Sequence, residues 1–114
     1  MTLAEQQHLF LPLVAKLVTK AYELGYQLSA GELWRPPEMA ALNAKMGKGI
    51  ANSLHCDRLA IDLLLFKDGV YLTDSAAYEP LGVYWESLHP LAAWGGRFSK
   101  PDGDHFSLAF GGRK

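Results

Sequence analysis

Two histidines and two aspartates have the residue types and spacing that could do chemistry. His55 precedes an apolar segment, Asp62 lies inside it, and Asp102 and His105 lie three residues apart near the C-terminus. A buried, unpaired carboxylate is costly, so Asp62 needs a cation, a metal ion or several hydrogen-bond donors. Two imidazoles and one carboxylate form a zinc ligand set that leaves a fourth position for water, as in catalytic sites. Asp102 would take the proton of that water.

The same residues also have a plainer interpretation. Asp62 could pair with Arg58 or Arg97, and the two histidines would then be unrelated polar residues. Spacing alone does not decide between this interpretation and a metal site.

The elements that must position these residues follow from hydrophobic periodicity. Apolar residues at helical spacing predict a first helix that covers 10–24 and ends at Gly25, with Pro12 in its first turn or at a kink. The other predicted elements are an extended stretch 26–34, a helix 38–45 opened by Pro37, a loop 46–52, a strand 58–66, its hairpin partner 70–72, a helix capped by Thr73 or Asp74 that runs to about residue 88, and closing strands 94–98 and 105–110.

Helices segregated from short, hairpin-linked strands indicate an α+β fold, a small antiparallel β-sheet flanked by helices. The 114 residues are the size of a single domain, 1–114. In this arrangement His55 enters the strand that contains Asp62, and His105 arrives on the adjacent closing strand.

Composition excludes several function classes. Eleven basic and 12 acidic side chains give a net charge of -1, which argues against a globally basic nucleic-acid binder. The single cysteine, Cys56, cannot form an internal disulfide.

The N-terminal segment predicts neither a secretion signal nor membrane insertion. It carries acidic and amide residues where a signal peptide carries Lys or Arg, and its apolar stretch 9–14 is too short to span a bilayer. We therefore expect a chain that is cytoplasmic as synthesised. A monomer is the default expectation, although the sequence leaves the oligomeric state open.

Three motifs carry a resemblance to a known family. They are SLH at 53–55 with AIDL at 60–63, WGGRF at 94–98 with DGDHF at 102–106, and WRPPE at 34–38. Together they resemble the S-x-H-x6-D, W-G-G-x-F with D-x-x-H-F, and aromatic-R-[ST]-x-E elements of the zinc D-alanyl-D-alanine carboxypeptidases and phage L-alanyl-D-glutamate endopeptidases, the VanY-like peptidoglycan peptidases. Arg58 departs from the pattern where many members have Gly, and Pro36 departs where Ser or Thr is usual.

The resemblance implies a role for each site residue. His55, Asp62 and His105 would be Zn²⁺ ligands, Asp102 the catalytic general base, and Arg35 a group that binds a substrate carboxylate or carbonyl oxygen. Members of this family cleave peptidoglycan stem peptides and have a small antiparallel sheet flanked by helices. Short members without a signal are typically phage or prophage endolysins, which a holin releases to the cell wall for host lysis.

Several alternatives stay open at this point. An endopeptidase that cuts L-Ala–D-Glu needs an open groove, a D-Ala–D-Ala carboxypeptidase must close around a free C-terminus, and the sequence does not show which is present. A third possibility is a non-catalytic, zinc-holding wall-binding domain, against which the presence of Asp102 argues. Asp104 is the alternative base, but neighbouring side chains on a strand point to opposite faces, and the family pattern also favours Asp102.

Overall fold

The computed structural model describes residues 1–50 and 52–114, so one residue of the predicted loop 46–52, Ala51, lies outside the described residues. Three helices and five strands account for the regular structure of this part of the chain. In chain order they are α1 (Leu3–Glu23), β1 (Gln27–Ala30), α2 (Pro37–Lys45), β2 (Ala60–Lys67), β3 (Val70–Leu72), α3 (Glu79–Leu88), β4 (Ala92–Trp94) and β5 (His105–Leu108). Short 3₁₀ turns cover Leu54–Asp57, Ser75–Tyr78 and Gly95–Arg97.

Helix α1 begins earlier than the apolar pattern predicts. Thr2 accepts a hydrogen bond from the Glu5 backbone N–H, and the Glu5 side chain accepts one from the Thr2 backbone N–H, which forms a capping box. Pro12 therefore lies inside the helix with its side chain exposed, so of its two predicted places, the first turn is wrong. The buried stripe that packs on the core contains Phe10, Leu13, Val14, Leu17 and Ala21, with Gln6 at its start.

The sheet is antiparallel and is built around β2. Its strand order is β1-β2-β5-β4, and β3 also pairs with β2. Residues 60–62 of β2 pair with β5, and the rest of the strand pairs with β1 and β3, so β2 contacts three neighbours. The predicted α+β class, with a small antiparallel sheet flanked by helices, is confirmed.

The two faces of β2 differ in burial. Ile61, Leu63 and Leu65 face the core and are buried, whereas Asp62 and Leu64 on the other face are half-buried. This alternation explains how a carboxylate fits inside an apolar run, because Asp62 points away from the main core.

The two closing strands are shorter than predicted. Strand β4 ends at Trp94, and the Gly95–Arg97 segment that was expected to be strand forms a 3₁₀ turn. A Cβ on Gly95 would lie 2.1 Å from the Asp102 carbonyl oxygen, so this backbone is packed too closely for a strand with side chains. Strand β5 begins at His105 as predicted but ends at Leu108. In the described part of the chain, no helix has both the length and the apolar character needed to cross a membrane.

Candidate metal centre and active site

His55 lies in the Leu54–Asp57 3₁₀ turn, just before β2, with its ring buried. Ser53 caps this turn, because its side-chain oxygen accepts the backbone N–H of His55 at 3.1 Å. The Nδ1 atom of His55 is 3.1 Å from the backbone oxygen of Leu33. A carbonyl oxygen can only accept, so the proton belongs on Nδ1 and the Nε2 lone pair is left for another partner.

Strand register brings Asp62 and His105 together. The two residues are directly paired across β2 and β5, so their side chains lie side by side on the same face of the sheet. The backbone of Asp62 is also fixed from the other side, since its N–H donates to the Glu32 carbonyl oxygen and its own carbonyl accepts the Gly31 N–H, both at 2.8 Å.

The three predicted metal ligands converge on one point. Asp62 Oδ1 is 3.3 Å from His55 Nε2 and 3.5 Å from His105 Nδ1. Zinc bound tetrahedrally with bonds of about 2.0–2.1 Å would hold its ligand atoms about 3.3–3.4 Å apart, whereas a charge-assisted hydrogen bond is typically about 2.7–2.9 Å. The separations therefore fit a metal ion better than they fit direct hydrogen bonds.

A buried polar atom at this point supports the same conclusion. Asp62 Oδ1, the atom on which both imidazoles converge, is buried and makes no hydrogen bond among the residues that the structure describes. A buried carboxylate oxygen without a donor costs free energy that a cation would recover. The donor set of two imidazoles and a carboxylate thus fits a divalent metal such as zinc.

The electrostatics of the cluster reflect the same contacts. Burial by itself raises the pKa of the Asp62 carboxyl, but the imidazoles of His105 and His55 outweigh burial and bring its pKa to about 2. Burial lowers the pKa of His55, but the Asp62 carboxylate outweighs it, so the net pKa is raised. Asp62 is therefore ionised at neutral pH, as a metal ligand must be.

Two further carboxylates lie beside Asp62. Oxygen atoms of Asp62, Asp102 and Asp104 all lie within 4.8 Å of one another. Asp104 precedes β5, in the turn that ends at His105, so strand alternation does not keep its side chain away from the site and that argument against Asp104 is wrong. Burial, followed by the neighbouring Asp102, raises the pKa of the Asp104 carboxyl to about 7.

One cleft of about 450 Å³ is lined by all five predicted site residues. Asp102 lines this cleft with His55, Asp62, His105 and Arg35. The lining residues other than these five are Lys48, Gly49, Ile50, Asn52, Ser53, Leu54, Phe98, Lys100, Arg113 and Lys114. Asp104 is absent from the described lining, so Asp102 is the carboxylate beside the predicted ligands that faces the cleft.

Arg35 lies in the cleft, but Glu32 already holds it. Its Nε donates to Glu32 Oε1 at 2.6 Å, and its Nη2 forms an ion pair with the same oxygen. The guanidinium is therefore partly used within the protein, although it faces the cleft beside His55.

The plainer interpretation of Asp62 is wrong. Arg58 lies over the ring of Trp34 at 4.7 Å, and Arg97 pairs with Glu86. Neither arginine pairs with Asp62 in the described structure, and both histidines contact it instead.

The sequence did not predict that residues 31–35 contact His55 and Asp62 through their backbone. Residues 31–35 run beside β2 and the His55 turn, with the Leu33 carbonyl on His55 Nδ1 and the Arg35 N–H on the His55 carbonyl oxygen at 3.2 Å. Such backbone contacts cannot be predicted from side-chain identity. The motif at 34–38 predicted that this segment belongs to the site, but not that its backbone contacts His55.

Comparison with known proteins identifies a fold. The chain matches no protein family and no curated protein by sequence. By structure it is similar to the Serratia marcescens L-Ala D-Glu endopeptidase ChiX, with a TM-score of 0.70, 22% identity, and coverage of 87% of this chain and 80% of that one. This likeness shows that the chain shares its fold with that endopeptidase, in agreement with the fold that the motifs implied.

Proposed function

We propose that this chain is a zinc-dependent peptidoglycan peptidase that hydrolyses the L-alanyl-D-glutamate bond of stem peptides. The observation that carries the proposal is the separation of Asp62 Oδ1 from His55 Nε2 and His105 Nδ1, 3.3 and 3.5 Å. The activity of the similar Serratia protein supports the choice of reaction class and bond.

Each residue of the cleft has a role in this proposal. His55 Nε2, Asp62 Oδ1 and His105 Nδ1 would hold the zinc ion, and Leu33 would keep the His55 proton on Nδ1. Zinc bound there would polarise the scissile carbonyl and lower the pKa of a bound water to about 7.

Asp102 is the proposed general base. Its carboxylate faces the cleft next to the ligand set, takes the proton of the attacking water, and returns it to the leaving amine. Arg35 lies beside His55 and can donate from its unpaired guanidinium edge to a substrate oxygen.

The choice of the endopeptidase over the D-Ala–D-Ala carboxypeptidase rests on the activity of the similar Serratia protein. A carboxypeptidase holds the substrate's terminal carboxylate with a cation, and although Glu32 already shares the Arg35 guanidinium, lysines also line the cleft. The identity of the cleavage products therefore decides between the two activities.

Mass spectrometry of purified peptidoglycan after digestion tests the proposal. The wild-type chain with zinc should release peptides that begin at D-Glu, and chelation should stop this release until zinc is added back. Asp102→Asn preserves side-chain shape and removes the base, so we expect a rate loss of about 10²–10⁴-fold. Asp68→Asn, in the exposed hairpin turn, is the matched control and should cleave at the wild-type rate.

The other outcomes are equally informative. Release of terminal D-Ala alone would replace the endopeptidase with the carboxypeptidase. Zinc bound at one equivalent without cleavage would indicate a metal-holding binding domain. Loss of activity in Asp104→Asn but not in Asp102→Asn would move the base to Asp104, and no zinc binding would refute the metal centre.

A further inference from the structure

The C-terminal segment folds back toward the metal centre. Phe110 and Arg113 exchange two backbone hydrogen bonds of 3.0 Å across a tight turn, in which Gly111 and Gly112 have positive φ values. This turn directs the Arg113 side chain into the wall of the cleft.

The Arg113 guanidinium contacts three groups. Its Nη2 lies 2.6 Å from Asp57 Oδ2, its Nη1 donates to Asn52 Oδ1 at 3.1 Å, and its Nε donates to the Phe110 carbonyl oxygen at 3.3 Å. The Arg113 side chain is 20% exposed, so this ion pair is less screened than one at the open surface.

Two of these partners bracket the turn that carries His55. Asp57 is the last residue of the Leu54–Asp57 turn, and Asn52 precedes its cap, Ser53. One planar guanidinium therefore joins both ends of the turn, which the single ammonium group of a lysine is poorly shaped to do. From the opposite side, Gln7 of α1 donates to the Asp57 carbonyl oxygen at 2.7 Å.

We propose that Arg113 is a positioning residue, which clamps the His55 turn through Asn52 and Asp57 and so holds the His55 ring on Leu33 with Nε2 toward Asp62. This inference rests on the proposed function, because the orientation of His55 matters only if His55 is a zinc ligand. Without the clamp the turn retains its anchor in the core, Leu54, but His55 loses its fixed orientation.

Zinc affinity of the full chain tests the clamp. We would measure it by competition with a chromogenic chelator for the wild type, Arg113→Gln, Asp57→Asn, the double variant and Arg113→Lys. Arg113→Gln should bind zinc about tenfold more weakly, the lower end of the loss seen when a group that supports a metal ligand is removed. Asp57→Asn breaks only one arm of the clamp and should lose part of this affinity. The double variant should be no weaker than Arg113→Gln alone, because Arg113→Gln already removes the contact with Asp57.

Two controls separate positioning from charge and stability. Lys20→Gln on α1 removes one positive charge outside the cleft and should bind zinc like the wild type. Arg113→Lys should recover part of the affinity, because it restores the pair with Asp57 without spanning to Asn52. Thermal unfolding of each variant checks that the fold is kept.

A second measurement does not depend on metal. In the chelated protein, ¹⁵N–¹H correlation spectra should show His55 as the Nδ1-protonated tautomer in the wild type and as a tautomer mixture in Arg113→Gln. Wild-type zinc affinity together with an unchanged tautomer in Arg113→Gln would overturn the clamp, as would losses that add in the double variant. If the wild type binds no zinc, the proposed function fails, and the tautomer comparison alone decides the inference.

Discussion

At the residue scale, Asp62 and Tyr78 each bring several groups together, and they do so at opposite ends of β2. Asp62 is the point on which the two imidazoles converge at one end. At the other end, the Tyr78 hydroxyl accepts the Leu65 backbone N–H and donates to the Leu72 carbonyl oxygen, each at 3.0 Å. Leu65 and Leu72 are register partners of β2 and β3, so this hydroxyl bridges two strands of the hairpin.

Removal of the Tyr78 hydroxyl should destabilise the fold without disabling the site. Tyr78→Phe leaves a buried N–H and a carbonyl unpaired, so we expect the free energy of unfolding to fall by about 1–3 kcal/mol in urea denaturation. Zinc affinity at 25 °C should be unchanged, and a parallel loss of affinity would contradict the separation of hairpin and metal centre.

The same hydroxyl has a defined pH dependence. Burial, ahead of the other influences, raises the pKa of Tyr78 above its ordinary value of 10.0. A raised folded-state pKa gives a stabilising contribution that is complete below the unfolded pKa and is lost as pH rises through the folded pKa. Above pH 10, wild-type stability should therefore fall toward that of Tyr78→Phe, and an unchanged difference between the two would contradict this assignment.

At the element scale, the Gly95–Arg97 turn sets the positions of Asp102, the proposed base, and His105, a proposed ligand. The Gly95 carbonyl accepts the Asp102 N–H at 2.9 Å, and the Asp102 carbonyl accepts the His105 N–H at 3.1 Å. A Cβ on Gly95 would lie 2.1 Å from the Asp102 carbonyl oxygen and 2.8 Å from His105 Cβ. The turn and the Asp102–His105 loop therefore pack with no room for a side chain.

Gly95→Ala should consequently damage catalysis more than stability. Displacement of the loop by about 1 Å should lower kcat/KM by about 10²-fold, while overpacking costs about 1–3 kcal/mol of stability. Gly69→Ala is the matched control, because Gly69 has φ +79° in the hairpin turn with open space around it. It should lose stability but keep its activity, and equal activity losses in both variants would refute the positioning role of Gly95.

The sequence predicted the helices and strands well where periodicity was strong, and less well where backbone packing decides. The run 58–66 predicted β2 with an error of two residues at its start and one at its end, because an apolar run that ends at a turn is a clear strand signal. The segment 94–98 was predicted as a strand, since its composition does not reveal how closely Gly95 approaches the Asp102 backbone. The start of α1 was missed because a capping box is polar and lies outside the apolar stripe.

At the scale of the whole molecule, zinc binding should be visible as folding stability. The proposed ligands come from the His55 turn, β2 and β5, which assemble only in the folded chain. Zinc at 100 times its Kd should add about 2.7 kcal/mol, and for a domain of this size raise Tm by about 10 °C. Calorimetry of His55→Ala with and without zinc should show no such rise, and an equal rise in both proteins would place the metal elsewhere.

The side chains of the candidate site were predictable from the sequence, but the contacts that hold those side chains in place were not. Residue types and motif spacing predicted His55, Asp62, His105 and Asp102, and the structure brings these four into one cleft. The contacts from Leu33 and Arg113 were not predictable, because they depend on where loops cross in three dimensions. Asp104 shows the same limit, since its place in a turn was mistaken for a place on a strand.

The position of Lys114 in the cleft wall has a practical consequence for producing the protein. A polyhistidine tag fused after Lys114 would start at the rim of the cleft, where its imidazoles would compete with His55 and His105 for zinc and obstruct the entry of peptidoglycan. Met1 is 65% exposed and does not belong to the described lining of the cleft. Purification handles therefore belong before Met1, and activity lost with a C-terminal tag should return when the tag is cleaved.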